Sequence, residues 1–285
     1  MKVKKTNVLT KDEESEIVSL ENRVLKNDNL NYRAFLSNEI NFDKSLPCFY
    51  MYYEGDELIA FLTTFMPSSS EAEITAFTHP KYRKKGYFNS LLECAKETLA
   101  KAEINKVLFV VEPKSTSALE VMKAKKCTEI DRSEYKMSYL ISEGELVHSE
   151  CNLEFVKVDN NNKDIFEMID EDAFPEEEPN EEFTNSIISS QNREAYIGYK
   201  DGEPVGCFNI NYEEEDAFLY GIAVISKYRG QGFGKNIVKF ALDKGLQKFD
   251  KVVLEVDSEN PIAFNLYKKC GFTIDFQEDY YIYEF

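Results

Sequence analysis

An apolar run, "AFLYGIAV" (Ala217–Val224), leads through a short connector into Arg229-Gly230-Gln231-Gly232-Phe233-Gly234, and a helix-patterned segment follows at once. This order of strand, glycine loop and helix suits the binding of a phosphate. The first turn of a helix offers unpaired N–H groups and a partial positive charge. Glycine allows positive φ and a close approach of backbone to an anion, and Arg229 adds a charge-assisted donor. Alone, such a loop is equally a tight turn. Downstream, "DSENPIAFNLYKKCGF" places Asn260 ahead of Pro261, where it reads as a helix N-cap or as a polar contact to a ligand, two roles that can coexist. Tyr267 follows seven residues later, on the same expected helix.

The elements that hold these residues occur twice. "EGDELIAF" (Glu54–Phe61) matches "DGEPVGCF" (Asp201–Phe208), Arg83 matches Arg229, and "KVLFVVE" (Lys106–Glu112) matches "KVVLEVD" (Lys251–Asp257), at offsets of 147, 146 and 145 residues. Two tandem domains are expected, 1–145 and 146–285. In the second, "NLEFVKVD" alternates as a strand, and "NKDIFEMIDEDAF" and "EEFTNSIISSQ" read as helices. A hairpin turns at Asp201–Gly202, and "AFLYGIAV" is a buried central strand. Next come an amphipathic helix with Ile237, Phe240, Ala241 and Leu246 inward, the strand "KVVLEV", a helix opened by Pro261 and a closing hairpin, "TIDFQEDYYIYEF". The first copy runs from a helix at Asp12–Leu25 to a closing strand, "YKMSYL".

With these elements in order, "GIAVISKYRGQGFGKNIVKFAL" resembles the acetyl-CoA signature of the GNAT N-acetyltransferase superfamily, Gln/Arg-x-x-Gly-x-Gly/Ala, through Arg229, Gly232 and Gly234. The resemblance covers nearly the whole chain, once per half. It implies an α/β fold in which each half is a mixed, strongly twisted and partly splayed sheet flanked by helices. It also implies acetyl-CoA as co-substrate and no metal. The pantetheine arm would run along Ile222, Ala223 and Val224, the pyrophosphate would lie on Arg229–Gly234, and Asn260 would touch the arm. Acetyl would pass directly from sulfur to an amine, with Tyr267 as the acid for the departing thiolate; the other reading of Tyr267 is a core aromatic.

The family often carries a glutamate base on the central strand. Here that position falls near Phe218. Counting back by twos from Val224 gives Ile222, Tyr220, Phe218 and Asp216 on one face. Asp216 with Glu213–Glu215, or a water relay, are the alternatives for the base. The first copy keeps Arg83 and Gly86 but has Lys84 for Gly230 and Phe88 for Gly234; Ser115 and Met122 stand where Asn260 and Tyr267 do. It is expected to be non-catalytic: a scaffold, a pseudo-dimer partner or a regulatory site for CoA.

Composition limits the partners. The net charge is −18; residues 1–145 hold 21 Lys+Arg against 23 Asp+Glu, and residues 146–285 hold 13 against 29. The second half lacks the basic face that nucleic acid requires. Its acidity concentrates in "DEDAFPEEEPNEEF", a segment the family places over the acceptor pocket. That suits a small-molecule or peptide amine, a cationic one included; a solvated charge run is the plainer reading. Of the six cysteines none forms a CxxC pair, and with only two histidines a zinc site lacks ligands. The opening "MKVKKTNVLTKDEESE" has no apolar run after its lysines, and no apolar stretch approaches a membrane span. The expectation is a cytoplasmic enzyme, monomer or homodimer. A CoA-responsive binding protein and, less favoured by the acidity, a Fem-type aminoacyltransferase are the other readings.

Overall fold

The computed structural model describes residues 3–141, 152–175, 181–213 and 215–285. Among them are twelve strands and seven α-helices. The chain divides into two compact units, Met1–Glu134 with Phe276–Phe285, and Tyr135–Asp275. These units are not the sequence repeats 1–145 and 146–285, because the last strand, β12 (Thr273–Glu284), contributes most of its length to unit 1.

In unit 1, helix α1 (Lys11–Asp28) starts at a capping box: Thr10 Oγ1 accepts from the Glu13 N–H at 3.3 Å, and Glu13 Oε2 accepts from the Thr10 N–H at 2.7 Å. Strands β1 (Lys4–Thr6), β2 (Phe49–Glu54), β3 (Glu57–Phe65) and β4 (Ala72–Thr78) pair antiparallel in sequence order. Helix α2 (Tyr87–Lys101) then crosses to β5 (Lys106–Val111), parallel to β4. After α3 (Thr116–Lys125) comes β6 (Ile130–Leu140). Beside β5 lies the C-terminal β12, antiparallel, from Asp279↔Val111 to Glu284↔Lys106.

This closing strand is tied in by charge. Arg132 forms ion pairs with Glu73 and Glu134 and stacks 4.0 Å from the centre of the Tyr280 ring, whose hydroxyl donates to Glu134 at 3.2 Å. The expected hairpin at the C terminus is one continuous strand. "TIDFQEDYYIYEF" has no glycine, proline or positive-φ residue to turn it, and from Asp279 to Glu284 its backbone pairs without interruption with β5.

Unit 2 repeats the order. It contains β7 (Glu154–Lys157), α4 (Lys163–Ala173), α5 (Glu181–Ser189), β8 (Arg193–Lys200), β9 (Glu203–Tyr212), β10 (Ala217–Val224), α6 (Phe233–Leu246), β11 (Lys251–Asp257) and α7 (Pro261–Lys269). The β8–β9 hairpin turns at Asp201 (φ 52°) and Gly202 (φ 83°), as expected of a two-residue loop with positive φ at both positions. One sheet face packs on α6, where Ile237, Val238 and Ala241 meet Val205, Phe208 and Leu219. The other packs on α4 and α5, where Phe166, Ile169 and Ile187 meet Ile197, Cys207 and Ala223.

Truncation after Asp275 removes the antiparallel partner of β5. Limited proteolysis of that variant is expected to cut within residues 1–134 and leave 135–275 resistant; equal resistance of both would show that β12 contributes little to unit 1.

Candidate functional site

Strand β10 has a neighbour on one side only for part of its length. It pairs with β11 in parallel at Ala217↔Val252, Phe218↔Val253 and Leu219↔Leu254, and that pairing then stops. On its other side the antiparallel partner β9 continues to Val224↔Gly206. Tyr220 to Val224 therefore have no strand partner on the β11 side. Buried backbone groups normally find partners, so this edge is a place for an extended ligand. Strand β4 does the same: it pairs with β5 from Ala72 to Ile74 and then parts from it.

A bulge changes which residues face which side. Tyr220 opposes Asn209 and Ala223 opposes Cys207, so β10 has one residue more than β9 between them. Gly221 takes φ 55° there. Counting by twos across this point fails: Ala223, not Ile222, continues the face of Tyr220. Ile222 and Val224 pack with the α6 side, and Ala223 with the α4–α5 side. The glycine within "AFLYGIAV" was the available signal of the bulge.

Beyond β10, a 3₁₀ turn (Ser226–Tyr228) leads to the loop. Arg229 Nε donates to the Val224 carbonyl at 3.0 Å, which fixes the side chain and leaves its terminal N–H groups for an anion. Gly232, at φ 87°, is the N-cap of α6, and a Cβ placed on it or on Gly230 would meet nothing within 4 Å. The space over the loop is open. Gln231 donates to the Lys227 carbonyl at 3.2 Å, closing the turn. Phe233 opens α6 and meets Tyr228 edge-on. Gly234 is packed from below: a Cβ there would lie 3.2 Å from Leu266 and 3.7 Å from Val224.

Asn260 caps α7, its Oδ1 accepting from the Ala263 N–H at 3.0 Å. Its amide N–H₂ is the group left for a ligand. Tyr267 is buried on α7, and burial pushes its hydroxyl up to about 12. It stays protonated through neutral pH, and among the described residues the hydroxyl has no hydrogen-bond partner. Asp216 lies just before β10, at the end where β10 and β11 are still paired. Burial raises its carboxyl, with Lys251 and Lys136 opposing. No contact joins it to Tyr267. Glu213 beside it accepts from Asn211 Nδ2 at 3.2 Å, and Glu214 lies outside the described residues.

The first copy's loop has the same shape despite its substitutions. Arg83 Nε donates to the Thr78 carbonyl at 3.2 Å, Lys84 takes φ 62° where Gly230 has 76°, and Gly86 caps α2 at φ 88°. The loss of one glycine did not deform the backbone. The difference lies in the charge, because the Arg83 guanidinium is held by both oxygens of Asp28. A cavity of about 480 Å³ opens in unit 1 between the parted β4 and β5, lined by Thr75, Phe77, Arg83, Phe88, Ser115 and Met122.

Glu73 occupies in β4 the register position of Phe218 in β10, since Ala72 pairs with Val107 as Ala217 pairs with Val252. Burial pushes its carboxyl up to about 7, against the pull of Arg132. A residue offset of 145 from Phe218 identifies it in the sequence.

Comparison with known proteins decides the family. The sequence pattern of the Acetyltransferase (GNAT) family matches residues 15–126 and again 162–272. The chain belongs to the GNAT acetyltransferase family. Spermidine N(1)-acetyltransferase of Vibrio cholerae is 29% identical over 141 residues, 47% of this chain and 79% of that protein. Streptothricin acetyltransferase of Escherichia coli is 33% identical over 88 residues, 30% of this chain and 51% of that protein. The chain thus spans about half of the latter's length. Among solved structures, a GCN5-related N-acetyltransferase from Sphaerobacter thermophilus superposes with TM-score 0.77 at 15% identity, covering 99% of this chain and 95% of that one. A tandem GNAT protein from the clavulanic acid biosynthesis pathway gives 0.73 at 14% identity, covering 99% and 98%. These likenesses show the tandem GNAT fold. Among the described residues no helix is long and apolar enough to cross a membrane, and no group of His, Cys, Asp and Glu could hold a metal ion.

Tyr267→Phe removes the hydroxyl and keeps the ring packed against Phe272. Turnover is expected to fall on the order of 10²-fold, the usual worth of a general acid, with acetyl-CoA affinity unchanged. Steady-state rates with calorimetric binding check this; wild-type turnover would make Tyr267 a packing residue.

Proposed function

We propose that unit 2 transfers an acetyl group from acetyl-CoA to a primary amine of a small molecule or peptide. The observation that carries this reading is the parted edge of β10, which runs straight into the open loop Arg229–Gly234 at the head of α6. The residues fit acetyl-CoA. Backbone groups of Tyr220–Val224 match its pantetheine arm, as would the Asn260 N–H₂. The N–H groups opening α6, with Arg229, match its pyrophosphate. When bound, the group supplies the acetyl thioester. Tyr267 would give its proton to the departing sulfur. A backbone N–H of the β10 edge would stabilise the developing oxyanion. The amine's proton would leave to water or to the carboxylates near Asp216.

A cationic acceptor is supported by the acidity of residues 146–285 and by the similarity to a spermidine acetyltransferase. Of the acidic stretch, Asp172 is spent on the fold: it accepts from the Ser226 N–H at 2.6 Å. Glu176, Glu177 and Glu178 lie outside the described residues.

The cavity in unit 1 favours a second role there, the binding of acetyl-CoA or CoA without transfer. Met122 stands in the place of Tyr267 and has no proton to give.

Calorimetry with acetyl-CoA is expected to give two sites per chain. Gly232→Val, which forces a β-branched residue to φ 87°, should abolish one site and all thiol release. Two sites and full activity in that variant would contradict the assignment to unit 2. With spermidine as acceptor, KM is expected to rise with added salt, because screening shortens to about 8 Å at physiological ionic strength. A KM indifferent to salt would argue against recognition of the acceptor by its charge.

A further inference from the structure

Two polar atoms on the α4–α5 face of unit 2 are buried with no hydrogen-bond partner: Asn209 Oδ1 and Tyr220 Oη. Asn209 is 1% exposed, and its side chain makes no hydrogen bond among the described residues. The two residues are direct partners across β9 and β10, so they share a face with Cβ atoms about 5 Å apart. The bulge makes room for the amide. A Cβ on Gly221 would lie 2.4 Å from Asn209 Nδ2, so the carboxamide fills the space that glycine leaves. The pair also sits where β10 leaves β11, one residue past the last paired position, Leu219. Buried polar groups are nearly always satisfied, and two orphans side by side at the opening of the cleft call for polar atoms of a ligand.

The surroundings narrow its chemistry. Asn209 Oδ1 only accepts, and a tyrosine hydroxyl can accept. Two acceptors suit a group with two N–H bonds. Arg193 places its positive charge beside the Tyr220 hydroxyl and opposes the upward push of burial on it, which disfavours a protonated ammonium there. Phe183 meets the Tyr220 ring edge-on and Phe218 stacks on it, giving an apolar wall for the carbon attached to the nitrogen. Lys136 lies over Phe218 and pairs with Glu255.

We propose that Asn209 and Tyr220 form the acceptor-nitrogen site, holding the two N–H bonds of a neutral primary amine so that its lone pair is directed at the thioester. This rests on the reading that unit 2 is the transferase. The nitrogen lone pair forms the new N–C bond while the C–S bond breaks and its electron pair stays on sulfur. One of the two held protons leaves to solvent water, the other remains on the product amide, and sulfur takes a proton from Tyr267. Secondary amines offer a single N–H and lose one contact, so the site selects primary amines.

The test uses Asn209→Leu and Tyr220→Phe in the full chain, with butylamine, N-methylbutylamine and spermidine as probes. Wild type is expected to prefer butylamine to its N-methyl analogue. Each variant should lower kcat/KM for butylamine about tenfold, one hydrogen bond's worth, and should narrow that preference. Acetyl-CoA affinity should hold, and the melting temperature should stay level or rise, because an unsatisfied polar atom has been removed. Unchanged kcat/KM, or a loss that follows a lower melting temperature, overturns the proposal. If wild type releases no thiol with any amine, the transferase reading falls, and thermal stabilisation by spermidine decides the site. Stabilisation of wild type that both variants lose sustains it. No stabilisation of wild type, or equal stabilisation of all three, overturns it.

Discussion

The structure depends on one interruption of hydrogen bonding. In each unit two parallel strands pair over three residues and then part, β4 from β5 after Ile74 and β10 from β11 after Leu219. The backbone groups past that point have no strand partner on that side. Packing under the following helix supports the opening in unit 2, where Gly234 lets α6 sit against Leu266 of α7 and Val224 of β10. Any side chain at Gly234 would press on Leu266, which must then give way. The bulge at Gly221 works at the same place, re-aiming the strand within one residue of the parting.

Much of this was legible. The offsets of 145 to 147 residues exposed the duplication, and the order of strand, glycine loop and helix recurs from Ala217 to Leu246, because both rest on local pattern. The bulge was not legible from alternation: one extra residue moves every later side chain to the other face, so the face assigned to Ile222 and Val224 was wrong for Tyr220 and Phe218. The destination of the last strand was not legible either. Internal repetition assigns a closing strand to its own repeat, whereas β12 pairs with β5 through contacts some 170 residues apart in sequence. Its own residues carry no mark of which strand edge they join.

The two copies share a backbone and differ in chemistry. Lys84 shows that the first loop keeps a positive φ without glycine, and a lysine tolerates the left-handed region at modest cost. What the first copy lacks is a hydroxyl in the place of Tyr267 and an arginine whose guanidinium is without an ion pair among the described residues, since Asp28 already engages Arg83. What it adds is Glu73, a carboxylate that burial raises and that is ion-paired to Arg132. In unit 2 the same register position is Phe218, whose ring supports Tyr220. The charge that serves as a structural anchor in one copy is replaced by an aromatic wall in the other.

Amide hydrogen exchange of the intact protein, with and without acetyl-CoA, tests the central claim most directly. The account predicts that acetyl-CoA slows exchange at Tyr220–Val224 and at the N–H groups opening α6. Amides of Ala217–Leu219, already within the paired sheet, should be unaffected. Protection absent from Tyr220–Val224, with binding confirmed in the same sample, would contradict the assignment of the parted β10 edge as the acetyl-CoA site.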